Sequence, residues 1–229
     1  MAKIQLYDDG MAFEALLLKA TRPTRLVLFA VGSGGNPERH LHLLTALVEA
    51  GCTVIAPYFE RLMSAYPTAS DLGLRARRLQ IAFDRIADTD LPAVGIGHSI
   101  GATLLLAMAG GQIWIREDDN LPIREEKSLK KLVLLAPPTG FFHAPNALSA
   151  ITIPIQAWVG TLDSVTPQKQ MEYLRDHLPT QVSCDLRIID GAGHLSFLNT
   201  LPPHIKDPMI HRDAFLNTLA VEVCRFTLG

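Results

Sequence analysis

The sequence predicts an α/β domain built on a mostly parallel sheet with helices on both faces. Three observations carry this reading. Short apolar runs recur along the chain, separated by segments of helical length, which is the order a parallel sheet with crossover helices requires. Several runs are nearly continuous in Val, Ile and Leu, as strands covered on both faces are; a strand facing water would alternate. The 229 residues, 48% of them apolar, suffice for one sizeable core, and no boundary divides them, so residues 1–229 read as a single domain.

Ile4 to Asp8 and Phe13 to Lys19 flank the turn signal Asp8-Asp9-Gly10 and read as an antiparallel pair at a sheet edge, with a helix as the alternative for the second. Leu26 to Val31 is a buried strand that ends in the loop Gly32-Ser33-Gly34-Gly35. His40 to Ala50 has helical apolar spacing, and Thr53 to Tyr58 is the next strand. Ala69 to Thr89 reads as a helix with Leu72, Leu79 and Ile86 on the buried stripe and Arg75, Arg77, Arg78 and Asp84 on a solvated face. Ala93 to Gly97 is a short strand, followed by an Ala/Leu/Met-rich buried helix over Ser99 to Gly110.

Lys131 to Ala136 and Ile153 to Gly160 are strands, the second with Pro154 near its start, where a missing ladder donor is tolerated. Pro167 to His177 is a helix, Ser183 to Ile189 a strand, and Pro208 to Phe226 the final helix. Residues 112–130 break the rhythm. Arg116, Glu117, Asp118, Asp119, Arg124, Glu125, Glu126 and Lys127 mark them as an exposed charged excursion, with a small lid or partner surface as the alternative.

Composition narrows the function. The formal charge of -2, from 21 basic and 23 acidic side chains, sets up no overall field for nucleic acid or an anionic membrane, which favours a small-molecule substrate. Cys52, Cys184 and Cys224 are odd in number and lack the paired spacing of a metal site, which fits a reducing compartment and predicts no metal. The N-terminus meets Asp8 and Asp9 before any long apolar stretch, so no signal peptide is read there, and no run of roughly 18 apolar residues suggests a membrane span. The expectation is a soluble cytoplasmic protein; its oligomeric state is not legible.

Gly97-His98-Ser99-Ile100-Gly101 fits G-x-S-x-G, a nucleophile elbow, between an apolar strand and a buried helix. A strained turn there lifts Ser99 Oγ above the sheet edge, and the glycines remove side chains that would crowd it. A serine hydroxyl needs a base. Of eight histidines, His194 has the best context, at the end of Asp190-Gly191-Ala192-Gly193-His194 just after a strand, and an imidazole titrates near neutrality.

The base in turn needs an orienting acceptor. Asp163, after the strand ending at Gly160 and before a helix, gives the chain order Ser, Asp, His of this elbow class, with a plain helix cap as its alternative role. Asp190 is the rival acid, but its loop would have to double back to reach His194. His98 is expected to pack or hydrogen-bond near the elbow. The predicted oxyanion donors are the backbone N–H of Ile100 and that of Ser33, with Gly34 second. Tyr58, Phe59, Phe141, Phe142 and Phe197 lie near strand ends and are predicted pocket walls favouring an apolar or aromatic acyl group, with core packing as the alternative for each.

With these residues placed, the chain resembles the α/β-hydrolase superfamily over nearly its whole length, in particular its small members with little or no cap. The elbow, the Gly160-Thr161-Leu162-Asp163 segment with Val165 and Pro167, and Gly191-Ala192-Gly193-His194 match that family's nucleophile, acid and histidine motifs. The resemblance implies a mostly parallel sheet of about eight strands and an acyl-enzyme mechanism on an ester or thioester without a cofactor. Two departures stand out. Val31-Gly32 replaces the usual His-Gly before the oxyanion loop, and Ser99 stands where a dienelactone-hydrolase-like enzyme more typically carries Cys. A catalytically silent binding protein and an acyltransferase using the same site are the alternatives.

Overall fold

The strands form where apolar side chains can be buried on both sides of one sheet. A computed structural model describes residues 1–64, 66–87, 90–116 and 119–229; Thr89, the expected end of the second helix, and Glu117 and Asp118 of the charged excursion lie outside them. In chain order the elements are β1 (Ala2–Asp8), β2 (Met11–Leu18), β3 (Arg25–Ala30), α1 (Leu41–Glu49), β4 (Cys52–Pro57), α2 (Ala69–Asp84), β5 (Ala93–His98), α3 (Ile100–Met108), β6 (Ile113–Arg116), β7 (Asp119–Leu121), β8 (Leu129–Leu135), β9 (Ile155–Gly160), α4 (Gln168–His177), β10 (Cys184–Ile189) and α5 (Arg212–Leu228).

Eight strands make one sheet in the order β1-β2-β4-β3-β5-β8-β9-β10. Only β2 runs against the rest, pairing antiparallel with both β1 and β4, so the strand reading of its sequence holds and the helical alternative does not. Side chains alternate across the sheet. Leu26, Leu28 and Ala30 of β3 face the layer of α2, α3 and α4, while Val27, Phe29 and Val31 face the layer of α1 and α5. Each buried Leu or Val removes enough apolar surface from water to contribute about 1.5–3 kcal/mol. α3 is buried over its whole length, which is why its sequence has no polar stripe.

Strand order reverses at β3, whose neighbours are β4 on one side and β5 on the other. The loops leaving β3 and β5 diverge there and open a crevice at the carboxyl edge. α2 is locked by a capping box: Asp71 N–H donates to Thr68 Oγ1 at 3.2 Å, and Thr68 N–H donates to Asp71 Oδ2 at 2.9 Å.

One local expectation is refined and two are corrected. The charged excursion contains a small hairpin, β6 paired antiparallel with β7. It packs on α2 and α3: Gln80 Nε2 donates to Glu126 Oε2 at 2.6 Å, and Glu126 N–H donates to Met108 O at 2.7 Å. The last helix begins at Arg212, not Pro208, because Asp207 Oδ1 instead accepts Met209 N–H and holds that stretch in turns. Most consequentially, Arg75 does not sit on a solvated face but is 2% exposed; Arg78 is also largely covered, its guanidinium over the Phe13 ring.

Candidate active site

β5 delivers Ser99 at the carboxyl edge. The residue adopts φ 53° and ψ −130°, a conformation that costs a non-glycine residue of order 1–3 kcal/mol and persists only when surroundings enforce it. The enforcement is visible: Ser99 N–H donates to Leu135 O at 2.8 Å, tying the turn to β8, and Ser99 O accepts Ala102 N–H at 2.9 Å. The flanking glycines are needed for close approach. A Cβ on Gly97 would lie 2.7 Å from Ala102 N, and one on Gly101 would lie 2.2 Å from Ala30 O.

The loops after β9 and β10 bring the other two predicted residues to this serine. His194 Nε2 lies 2.9 Å from Ser99 Oγ, and His194 Nδ1 lies 2.9 Å from Asp163 Oδ2. The Asp163 carboxylate can only accept, so Nδ1 carries the proton and Nε2 is left to accept the serine proton. Asp163 also does what a cap would do: its Oδ1 accepts the N–H groups of Val165 at 2.9 Å and Thr166 at 2.8 Å. These N–H groups lie in the turn before α4, whose N-cap is Pro167 with no side-chain bond, so Asp163 braces its own turn with one oxygen and meets His194 with the other, and it is not the helix cap. Burial by itself raises the Asp163 carboxyl, but the bonds from His194 and Thr166 outweigh it and hold the group below the usual carboxylate range. Asp190 is occupied elsewhere, accepting Thr161 Oγ1 at 3.2 Å.

Thr166, not anticipated from the sequence, and His98, expected near the elbow, steady His194. Thr166 Oγ1 donates to Asp163 Oδ2 at 2.7 Å and lies 3.1 Å from His194 Nδ1, so it joins the same hydrogen-bond network. Its signal was the threonine three residues after Asp163, the spacing of a local side-chain-to-backbone motif. His98, buried beside the serine, places Nε2 2.9 Å from His194 O; since that carbonyl accepts, the ring donates and pins the histidine loop. Burial, followed by the neighbouring His194 and His40, pushes the His98 ring well below its ordinary value and keeps it neutral. Burial likewise pulls His40 down to about 3.

Ser99 and His194 open into a cleft of about 330 Å³, lined by Val31 to His40 with gaps, by Arg61, Leu62 and His98, and by a wall of Leu195, Leu198, Pro202, Pro203 and Ile205. Ser33 and Gly34 both line it. Among the described residues the N–H groups of Ser33, Gly34 and Ile100 have no backbone acceptor, which leaves them available to a ligand. That fits Ile100 in particular, because the first N–H groups of a helix are unpaired and carry its positive dipole end.

The aromatic pocket does not form, and the expectation is corrected for all five residues: none lines this cleft. Phe142 and Phe197 are each 1% exposed in the core, Phe197 edge-on to Phe215. Phe141 packs against the α2/α3/α4 layer. Tyr58 turns away to donate to Glu38 Oε1 at 2.6 Å, and Phe59 lies under the Arg75 guanidinium. Apolar rings near strand ends had a sheet face to cover, and burial there outcompeted exposure in the cleft. The walls are instead aliphatic and proline-rich, with Arg39 and Arg61 among the lining residues. No described residue of 112–130 lines the cleft.

Among the described residues no group of three or more His, Cys, Asp or Glu is arranged to hold a metal ion, and no helix is long and apolar enough to cross a membrane. Cys52, Cys184 and Cys224 are free thiols.

No protein-family model matches the chain, and no curated protein matches its sequence. Solved structures do match. A dienelactone hydrolase from Anabaena variabilis aligns with a TM-score of 0.70 at 21% identity, over 98% of this chain and 94% of that one. Est1E from Butyrivibrio proteoclasticus aligns with a TM-score of 0.66 at 16% identity, over 100% and 98%. The butyrate-bound esterase Est2 from Thermogutta terrifontis aligns with a TM-score of 0.67 at 14% identity, over 96% and 90%. At such identities the likeness is one of fold, and this chain has the α/β-hydrolase fold.

Proposed function

On this α/β-hydrolase framework we propose that the protein is a serine hydrolase that cleaves a small or medium acyl ester or thioester through an acyl-enzyme on Ser99. The observation that carries the reading is the relay Ser99 Oγ to His194 Nε2 to Asp163 Oδ2, 2.9 Å at each step, at the foot of an open cleft.

His194 Nε2 takes the hydroxyl proton as Ser99 Oγ bonds to the acyl carbon, and the carbonyl electron pair moves onto its oxygen. The N–H groups of Ile100 and Ser33, with Gly34 as second choice, stabilise that oxyanion; each effective donor is worth roughly 3–4 kcal/mol of transition-state stabilisation. Collapse expels the alcohol or thiol, which leaves with the proton from His194 Nε2. Water then gives a proton to the same nitrogen, attacks the acyl-serine, and the acid departs as Ser99 recovers its hydrogen. Asp163 and Thr166 hold the imidazole in its Nδ1–H form and stabilise the cation formed twice in each cycle. Every step is carried by this chain's own side chains and N–H groups, acting on a small-molecule substrate in a reducing, cytoplasmic setting that suits the three thiols.

The cleft volume supports a short acyl group, as does the fold shared with an esterase seen bound to butyrate. A fluorophosphonate probe followed by peptide mass spectrometry, with p-nitrophenyl esters of increasing acyl length and matched thioesters, tests the reading. The expected result is labelling on Ser99 and turnover that favours short acyl chains. Folded protein that is neither labelled nor active on any member of the panel would overturn it.

A further inference from the structure

We propose that Arg75 is a positioning residue for this reaction, its guanidinium gripping two successive carbonyls of the loop after β3 so that the Ser33 and Gly34 N–H groups face the oxyanion. The inference rests on the serine-hydrolase reading above.

Arg75 is a cation where solvent is closed off. It is 2% exposed, and among the described residues no carboxylate lies within ion-pair distance of it. A buried unpaired charge persists only when other groups satisfy it. Three carbonyls do so: Nη1 donates to Gly32 O at 2.9 Å, and Nη2 donates to Ser33 O at 3.3 Å and to Glu60 O at 2.7 Å. The Phe59 ring covers the guanidinium at 4.8 Å. Burial lowers the group to about 10, so it stays charged at neutral pH. The planar fork thereby ties the loop after β3 to the loop after β4.

Peptide geometry converts this grip into a direction. In a trans peptide the C=O and the following N–H point opposite ways. Holding Gly32 O therefore turns the Ser33 N–H away from the guanidinium, and holding Ser33 O does the same for the Gly34 N–H. Arg75 lies on the buried side of the loop and does not line the cleft, whereas Ser33 and Gly34 do. Both N–H groups are consequently aimed at the cleft side. Gly35 N–H closes the turn onto Gly32 O at 3.1 Å, so the carbonyl has two donors and little freedom. The loop is also pressed against the nucleophile, since a Cβ on Gly32 would lie 3.2 Å from Ser99 Cβ. The cation behind the carbonyls further polarises the two peptides in the sense an oxyanion needs.

The test compares Arg75→Met, which keeps volume and loses the fork, with Arg75→Lys, which keeps charge but cannot span three carbonyls. Each is measured in the full chain for kcat and KM on a short p-nitrophenyl ester, for inhibition by a trifluoromethyl ketone that forms a tetrahedral adduct on Ser99, and for thermal melting. Arg75→Met is expected to lose about a hundredfold in kcat with KM within about threefold, and the ketone should weaken in step with kcat/KM. Arg75→Lys should recover part of this, to about a tenfold loss, and the pH position of the kcat/KM limb should not move in either, because the triad is untouched.

A folded Arg75→Met with kcat within about threefold of wild type, or with its whole loss in KM, overturns the inference. If Arg75→Met does not fold, Arg75→Lys decides by the same split, and full wild-type kcat in it overturns the fork. An active wild type with insensitive Arg75 variants defeats only this inference. A wild type inert to both ester and fluorophosphonate defeats the serine-hydrolase reading, and this one with it.

Discussion

On the β9–β10 side of Ser99 the site is built of side chains, His194 against the serine and Asp163 behind it, each held by a partner of its own: His98 holds the His194 carbonyl and Thr166 the Asp163 carboxylate. On the β3 side the proposed groups are the main-chain N–H groups of Ser33 and Gly34, and Arg75, which holds the carbonyls of Gly32 and Ser33, arrives from α2, more than forty positions along the chain. Side-chain chemistry can be named from residue types in a sequence. Main-chain chemistry has no residue type, so its support is found only where the chain is folded.

Substitutions on the two sides should separate them. The largest effect belongs to the serine itself: Ser99→Ala should lose at least about 10⁴-fold in ester turnover, checked by steady-state kinetics with an unchanged melting curve. Asp163→Asn should come next, at about 10³–10⁴-fold in kcat, because an amide can present its NH₂ to Nδ1 and favour the wrong imidazole tautomer. Both exceed the expected Arg75→Met loss, and a reversed order would mean that the β3 side dominates. Thr166→Val, which keeps shape and deletes the hydroxyl donor to Asp163, should cost about tenfold in kcat, with KM little changed. An effect confined to KM would detach Thr166 from the relay.

The smallest effects are on stability and appear in acid. Asp163 is depressed in the folded state, so its contribution is present above the unfolded carboxyl value and is lost as pH falls through the folded one. His40 and His98 act at higher pH. Both are depressed on folding, so the unfolded chain takes up their protons first, and stability falls as pH drops below 6.5, the ordinary histidine value. For His40 that window extends down to about 3. Each ring adds a slope of roughly 1 kcal/mol per pH unit. His40, whose Nδ1 is buried without a partner, offers the cleaner check: His40→Phe should flatten the difference between urea midpoints at pH 7 and pH 5 by about one proton's worth. An unaltered pH dependence would show that this ring is not held neutral.

Much of the fold was legible because β3, β5, β8 and β9 are buried on both faces, and continuous apolar runs record that directly. The hairpin of β6 and β7 was not, since its strands are short and half exposed and carry the charges of an open loop. Arg75 was misread for a related reason. Three residues after Leu72 and four before Leu79, it falls by helical spacing on the buried stripe; its charge points to solvent only because no stretch of sequence reveals that three carbonyls from other loops will meet it there. The five aromatic residues failed as pocket walls because strand ends are close to both core and cleft, and the choice between them depends on what packs opposite.

Consecutive residues set the strand-turn-helix at Ser99, the chain order of Ser99, Asp163 and His194, and the loops that carry them. These are local patterns whose physical requirements, a glycine where a Cβ would collide and a reactive side chain at a strand end, are written in consecutive residues. The packing of distant segments brought Ser99, Asp163 and His194 together at 2.9 Å steps, walled the cleft with Leu, Pro and Ile, and set a buried arginine behind the β3 loop. Those outcomes depend on which distant surfaces are covered together, and burial of that kind is a property of the packed chain, not of any stretch of it.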